Sequence, residues 1–431
     1  MRETVVKILD SRRNRRAIDL FCSHRRSRTT AVEKTVQAII DRVQKKGDAA
    51  VRGYTRKFDG VGISSLAVAP SEAEEAYKRA DASFIEILRE AAANIRTYHE
   101  KQLQSSWFYR TPEGSTLGQR ITPIERAGVY IPGGKAAYPS TVLMNVIPAQ
   151  VAGVSSIHLV SPPDENGRIN DNVLVAARIL GITSMYRVGG AQAIAALAYG
   201  TESIPSVDKI VGPGNIFVAT AKKLVYGTVG IDSFAGPSEI VVLADSSAQP
   251  EFIAADMLAQ AEHDEHASSV LITPEKKLAQ DVQKALRLQV RQLTRKSIIS
   301  RALENNSTIV ITGTIEEGAA IVNRLAPEHL EIITGDSWET MNLIKHAGAI
   351  FLGNYSPVAV GDYYAGPNHT LPTNTTARFS SPLGAEDFLK RTSVIAYTRD
   401  HLTEVSSRVA SFAQREGLQA HSASITIRTR K

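Results

Sequence analysis

The sequence predicts an α/β protein built on two parallel sheets. Three observations carry this reading. Short apolar runs alternate with segments of helical periodicity from Ile157 to Leu352. The intervening helices are 10–15 residues long, the length that lets consecutive strands run parallel. Glycines stand at two of the strand-to-helix junctions, Gly189-Gly190 and Gly212-Pro213-Gly214. The run of strands fits two sheets better than one.

In chain order, the first segment is set apart by charge. The chain has 431 residues and a formal charge of +6. Residues 1–28 hold nine basic and three acidic side chains, so this arm accounts for the whole excess and the rest is neutral. An arm of this kind either touches a polyanion or packs on a partner subunit. The second is favoured, because no basic stripe or base-stacking motif accompanies it elsewhere. Val32, Val36, Ile39, Ile40 and Val43 then recur at helical spacing, with Gly47 at a C-cap position. A long helix is expected over 71–104. Gly128–Gly134 reads as a strand ending in a tight loop. Strands follow at Ile157–Val160, Tyr186–Val188, Lys209–Val211, Glu239–Leu243, Ser268–Thr273, Thr308–Thr312, Glu331–Thr334 and Ala349–Leu352. Helices are expected at Asn172–Leu180, Ala191–Tyr199, from Asn215, and up to about His263. The tail from Gly384 reads as a separate unit, with a helix around His401–Glu416 and a short strand at Ser424–Arg428.

Composition narrows the class. Hydrophobic residues make up 43% and charged residues 22%, which excludes a largely disordered chain or a collagen. No run reads as a membrane span of about 20 apolar residues. The first residues, Met1-Arg2-Glu3-Thr4, show no apolar secretory signal, and Cys22 has no intrachain partner. Together these lead to the expectation of a cytoplasmic protein.

Candidate chemistry lies in two places. The glycine turns at 189–190 and 212–214 would present helix N-termini suited to an anion such as a dinucleotide pyrophosphate. No G-x-G-x-x-G occurs in the chain. Seven of the ten histidines fall between 263 and 421. Gln260 and His263 are three apart on an expected helix and share a face, as do His263 and His266. Nitrogen and oxygen donors on one face make half of a metal site. Asp362, in Gly361-Asp362-Tyr363, is an available carboxylate. Pro327-Glu328-His329 pairs a carboxyl and an imidazole where a helix start or sharp turn is expected, an arrangement suited to general acid/base work. Taken singly, each of these residues reads more readily as an ordinary surface or core group.

Read together, seven blocks resemble the histidinol dehydrogenase family, in the family's order. They are GVYIPGGKAAYPSTVLMN (Gly128–Asn145), VGGAQAIAALAYGTESIPSVDKIVGPGN (Val188–Asn215), DSFAGPSEIVVLAD (Asp232–Asp245), AQAEHDEHA (Ala259–Ala267), LAPEHLE (Leu325–Glu331), GDYYAGPNHTLPT (Gly361–Thr373) and EGLQAH (Glu416–His421). The resemblance runs from about Ala31 to Ile427. It implies a zinc-dependent, four-electron oxidation of L-histidinol to L-histidine through the aldehyde, with two NAD. It implies zinc ligands at Gln260, His263, Asp362 and His421, which demotes His266 to a neighbour. It implies that Glu328 and His329 are catalytic, and that Ser238, His369 and Glu416 hold substrate alongside the metal ligands and His329. Tyr130, Gln192 and Asn215 match NAD contacts, in an incomplete Rossmann variant.

The expected architecture is therefore two incomplete Rossmann-like domains with an arm and a tail. The division is 1–28 as the arm, 29–127 with 238–383 as the larger domain, 128–237 as the inserted NAD-binding domain, and 384–431 as the tail. The resemblance implies a homodimer with exchanged tails and shared sites, with no nucleic-acid or membrane partner. Thr373–Thr376 is less glycine-rich than the family form, and the arm is more arginine-rich. Three rival readings remain: a relative acting on another amino alcohol or hydroxy acid, a zinc hydrolase using Gln260, His263, Asp362 and Glu328, and an anion- or RNA-binding protein acting through the arm. The hydrolase would have no use for Gln192 and Asn215 beside the glycine turns.

Overall fold

The structure, a computed structural model, describes residues 6–23, 32–133, 138–234 and 236–430. Most of the expected arm thus enters the description only as 6–23. Gly134–Ala137 of the first block and Ala235 of the third lie outside the described residues.

Strand β1 (Lys7–Asp10) opens the chain. β2 (Trp107–Arg110) and β3 (Thr116–Pro123) form a hairpin. β4 (Arg126–Tyr130), β5 (Ser156–Ser161), β6 (Met185–Arg187), β7 (Lys209–Val211) and β8 (Gly230–Ile231) follow. Next come β9 (Glu239–Ala244), β10 (Ser268–Thr273), β11 (Thr308–Ile311), β12 (His329–Ile333) and β13 (Ala349–Leu352). β14 (Leu389–Ala396) begins the tail.

Two sheets are parallel throughout. The larger has the order β1-β11-β10-β9-β12-β13, and the other has the order β6-β5-β4-β7-β8. The order of each reverses once, between β9 and β12 in the first and between β4 and β7 in the second. A third, antiparallel sheet, β14-β3-β2, ties the tail to the body. The central strands β9, β10 and β12 are buried on both faces, as helices covering both sides require. Helix Pro139–Ala152 is buried all round from Thr141 to Ala149, and its uniformly apolar sequence is that of a core helix. Among the described residues no helix is long and apolar enough to cross a membrane.

Several local expectations need correction. Part of the basic segment is no detached arm: β1 pairs along its length with β11, and Arg15–Ser23 is a helix with Ile18 buried. Gly47 does not end the first long helix but breaks it, at φ 47°, and the helix resumes to Phe58. The helix expected over 71–104 is two, Pro70–Arg79 and Ala82–Glu100, because Ala80 is extended and the Asp81 side chain caps the second by accepting from Ser83 N at 2.9 Å. The strand expected at Ser424–Arg428 is helix Gln419–Thr429. Its alternating Ile425 and Ile427 imitate a strand, but the segment packs along helix Arg399–Arg415 instead of adding to a sheet.

Candidate active site

The Glu328-His329 pair opens a strand, not a helix. Helix Ile315–Leu325 is stopped by Ala326 in the left-handed region, at φ 45°, and the chain enters β12 at His329. This puts both side chains at the amino-terminal edge of the large sheet, where its strand order reverses. Backbone atoms of Glu239, the first residue of β9, hold them there. Glu239 N donates to Glu328 Oε2 at 2.8 Å, and His329 Nδ1 donates to the Glu239 carbonyl at 3.1 Å. A carbonyl can only accept, so Nδ1 carries the proton and Nε2 faces the cleft. His329 Nε2 is buried, makes no hydrogen bond, and lies 3.8 Å from Asp362 Oδ1, an ion-pair distance. Glu328 Oε2 is 3.6 Å from His329 Nδ1. Gly348 allows the close approach, since a Cβ there would stand 2.6 Å from the Glu328 carbonyl oxygen.

Burial pushes the Glu328 carboxyl up to about 7, only partly opposed by His329. Burial alone would lower His329, but the carboxyls of Glu328 and Asp362 raise it to about 9. Burial also works against an ionised Asp362, yet His329, His369 and His263 hold it below the usual carboxylate range. These are groups poised for proton transfer near neutral pH.

The remaining donors come from three elements. Gln260 lies at the end of helix Pro250–Ala261, 3% exposed, with no hydrogen bond to its Nε2. The helix stops at Ala261, so His263 is not on its face as expected. A turn, His263 N to Gln260 O at 3.3 Å, keeps it beside Gln260. His263 opens to solvent on one side, yet desolvation lowers its pKa, with Asp362 opposing. His266 is exposed and pairs with Asp264, consistent with its demotion. Asp362 lies on helix Val358–Tyr363, and His369 Nδ1 donates to the Asp362 carbonyl at 3.0 Å. Gly361 lets that helix close on the Phe351 ring, which also lies 6.1 Å from the His329 ring. Ser238 immediately precedes β9, and its carbonyl accepts from Ser268 N.

Glu416 and His421 are not brought to this cleft. Glu416 caps helix Arg399–Arg415 and His421 lies on helix Gln419–Thr429, both exposed. The largest influences on His263, His329, Asp362 and His369 include no tail residue. Among the described residues, no three His, Cys, Asp or Glu side chains stand close enough to hold a metal ion.

Tyr130, Gln192 and Asn215 gather at the opposite kind of edge, the carboxyl-terminal ends of β4, β6 and β7. Tyr130 ends β4, is buried, and its hydroxyl accepts from Gly190 N at 3.1 Å. Burial raises this phenol to about 12, so it stays protonated. Gln192 lies in the first turn of helix Gly190–Tyr199, and its buried Oε1 has no hydrogen-bond partner. Asn215 caps helix Ile216–Val225, accepting from Phe217 N and Val218 N. Gly212, at φ 112°, crosses so close to Tyr130 that a Cβ would meet its carbonyl oxygen at 2.2 Å. The Gly212 peptide is clamped on both sides: Asp232 Oδ2 accepts its N–H at 2.8 Å, and Lys222 Nζ donates to its carbonyl at 3.0 Å. Lys222 and Asp232 are themselves a buried ion pair. This is the crevice at a strand-order switch where open α/β sheets bind ligands.

The profile of the histidinol dehydrogenase family matches residues 22–429. The chain belongs to the histidinol dehydrogenase family. It is 55% identical over 403 residues to the histidinol dehydrogenase of Bacillus subtilis, covering 94% of each chain. It is 53% identical to that of Bacillus licheniformis, covering 94% of this chain and 95% of the relative. The crystal structure of histidinol dehydrogenase from Elizabethkingia anophelis superposes with a TM-score of 0.93 at 36% identity, covering 98% of both chains. Membership makes the chain an oxidoreductase of histidine biosynthesis.

Several participants were invisible in the sequence. Glu239 acts through its backbone, which no residue type signals. Lys222 and Asp232 read as solvated charges, and Gly348 as a turn.

Proposed function

We propose that the chain is a zinc-dependent histidinol dehydrogenase that takes L-histidinol through the aldehyde to L-histidine, using two NAD in turn, as the last step of histidine biosynthesis. The observation that supports this most is the convergence of Glu328, His329, Asp362, His263 and His369 on one cleft, in a member of this family. The donor set fits zinc. Gln260 has a buried amide with no protein partner at Nε2, His263 offers an imidazole whose pKa is lowered, and Asp362 is held ionised. Gln260, His263 and Asp362 would hold the metal, with His421 of a second copy. Zinc, when bound, supplies a Lewis acid for the imidazole and amine of histidinol. NAD, contacted by Tyr130, Gln192 and Asn215, supplies the hydride acceptor for each oxidation.

The chain's own groups move the protons. His329 Nε2 accepts the alcohol proton as the carbon loses hydride. Glu328 accepts a proton from the water that adds to the aldehyde, giving the hydrate whose oxidation yields the carboxylate. Ser238, His369 and Glu416 orient the substrate.

The tail supports a shared site. It exposes Ile395, Phe412 and Ile427, and β2 exposes Trp107, Phe108 and Tyr109, an apolar surface that suits a second copy. Purified protein should form two NADH per histidine and lose activity with a chelator, and zinc should restore it. A fully active metal-free preparation overturns the zinc role. Co-expressing His263→Ala and His421→Ala chains should recover about a quarter of full activity if tails are exchanged, since half the dimers are mixed and each has one intact site. No recovery with mixed dimers present overturns the exchange.

A further inference from the structure

Below the cleft lies a buried carboxyl pair that the mechanism does not use. Glu331, on β12, is 2% exposed. It points to the same face of the sheet as His329, two residues earlier. Its Oε1 accepts from Val358 N at 3.2 Å, the first residue of helix Val358–Tyr363. Its carboxyl group is hydrogen-bonded to that of Asp256, half-buried on helix Pro250–Ala261. A bond between two carboxyls requires a proton on one of them. Burial first, and the Asp256 charge second, raise Glu331 well above the carboxylate range, so Glu331 is the protonated donor.

The three elements joined here carry the functional residues at a matching offset. Gln260 is four residues beyond Asp256, and Asp362 is four beyond Val358, about 6 Å along each helix. His329 is two residues before Glu331, about 6.6 Å along the strand. Both helices run back against the strand direction, so all three offsets point toward the amino-terminal edge. The carboxyl pair therefore forms a layer one helical turn beneath Gln260, Asp362 and His329. The pair sets the registry of β12 against both helices.

We infer that the Asp256–Glu331 pair is a positioning element that fixes the spacing of the metal-binding side chains Gln260 and Asp362 around His329. The inference rests on the zinc reading above. Outer groups that orient metal ligands typically change metal affinity by about 10–100-fold when removed.

The test compares zinc affinity, by competition with a chromophoric chelator, in four proteins: the unaltered chain, Glu331→Gln, Glu331→Leu and Asp256→Ala. Glu331→Gln keeps both an acceptor for Val358 N and a donor to Asp256, so its zinc affinity should stay within about threefold of the unaltered chain. Glu331→Leu and Asp256→Ala should bind zinc about 10–100-fold more weakly, and kcat for histidinol should fall more than KM rises. Circular dichroism identifies the variants that fold. Should Glu331→Leu fail to fold, Asp256→Ala decides alone, since Asp256 lies only half in the core. Unchanged zinc affinity in the folded variants overturns the positioning role while leaving the zinc reading intact. An unaltered chain that takes up no zinc overturns the zinc reading, and this inference with it.

Discussion

The two parallel sheets each concentrate candidate chemistry at the place where their strand order reverses, but at opposite edges. The β4–β8 sheet uses the carboxyl-terminal edge, where Tyr130, Gly190 and Gly212 meet. There the working atoms are largely backbone: turn peptides, helix N-termini and an Asn215 cap. The β9–β13 sheet uses the amino-terminal edge, where Glu328, His329 and the ends of two returning helices meet. There the working atoms are side chains, and backbone serves to hold them. The difference follows from direction. Helices that leave strands offer bare N–H groups to an anion. Helices that return bring their last turns, with imidazole, amide and carboxylate groups, to the start of the next strand.

The comparison breaks first if the Glu328 and His329 side chains prove dispensable. Glu328→Gln should slow oxidation of the aldehyde by about 10²–10⁴-fold and of the alcohol less, while His329→Ala should do the reverse. Half-reactions started from histidinol or from the aldehyde separate them. Equal losses in both steps for both variants would mean that the pair acts as one unit.

The carboxyl-terminal edge should instead fail when its backbone is disturbed. Gly212→Ala places a Cβ 2.2 Å from the Tyr130 carbonyl oxygen, in a left-handed conformation. A loss of about 2–4 kcal/mol in urea unfolding is expected, with weaker NAD binding. Unchanged stability would show that the crossing of β4 and β7 is looser than described.

A smaller effect sharpens the same contrast. Asp59, just past helix Glu33–Phe58, has a buried Oδ2 with no hydrogen-bond partner and an electrostatic influence on Tyr130. Burial raises its carboxyl from the usual 3.8 to about 6. A carboxyl raised on folding favours the folded state while protonated, and that contribution disappears as pH rises from 3.8 through about 6. Asp59→Asn should therefore stabilise the chain at pH 8 by up to about 1 kcal/mol, after allowance for screening, and not at pH 4. Denaturant unfolding at the two pH values checks this. A stability loss at pH 8 would place a working charge at the edge described here as backbone-built.

Much of this fold was legible in the chain. Apolar runs such as Ser268–Thr273 and Ala349–Leu352 match their strands residue for residue, because strands buried on both faces need continuous hydrophobicity. Glycine turns marked the β6 and β7 junctions for the same local reason: the backbone conformation at Gly190 and Gly212 excludes a side chain. Periodicity misled where the competing structure was tertiary. Ile425 and Ile427 alternate like a strand, yet a segment without a sheet edge beside it becomes a helix on a neighbouring helix. Glu328-His329 looked like a helix start because the left-handed Ala326 that ends the preceding helix has no residue signature.

The sequence by itself determined the alternation of strands and helices, the residue types available for proton transfer and metal binding, and, through its blocks, the family. Only the tertiary structure decided which of those residues meet. It brought Asp362 to 3.8 Å from His329, used the backbone of Glu239 as their common clamp, placed Glu331 beneath them, and left His421 outside the cleft. The physical reason is range. Strand and helix formation answer to neighbours a few residues apart. A site at a sheet edge depends on contacts about 30 to 90 residues apart, whose distances are set by strand order and by where each returning helix stops.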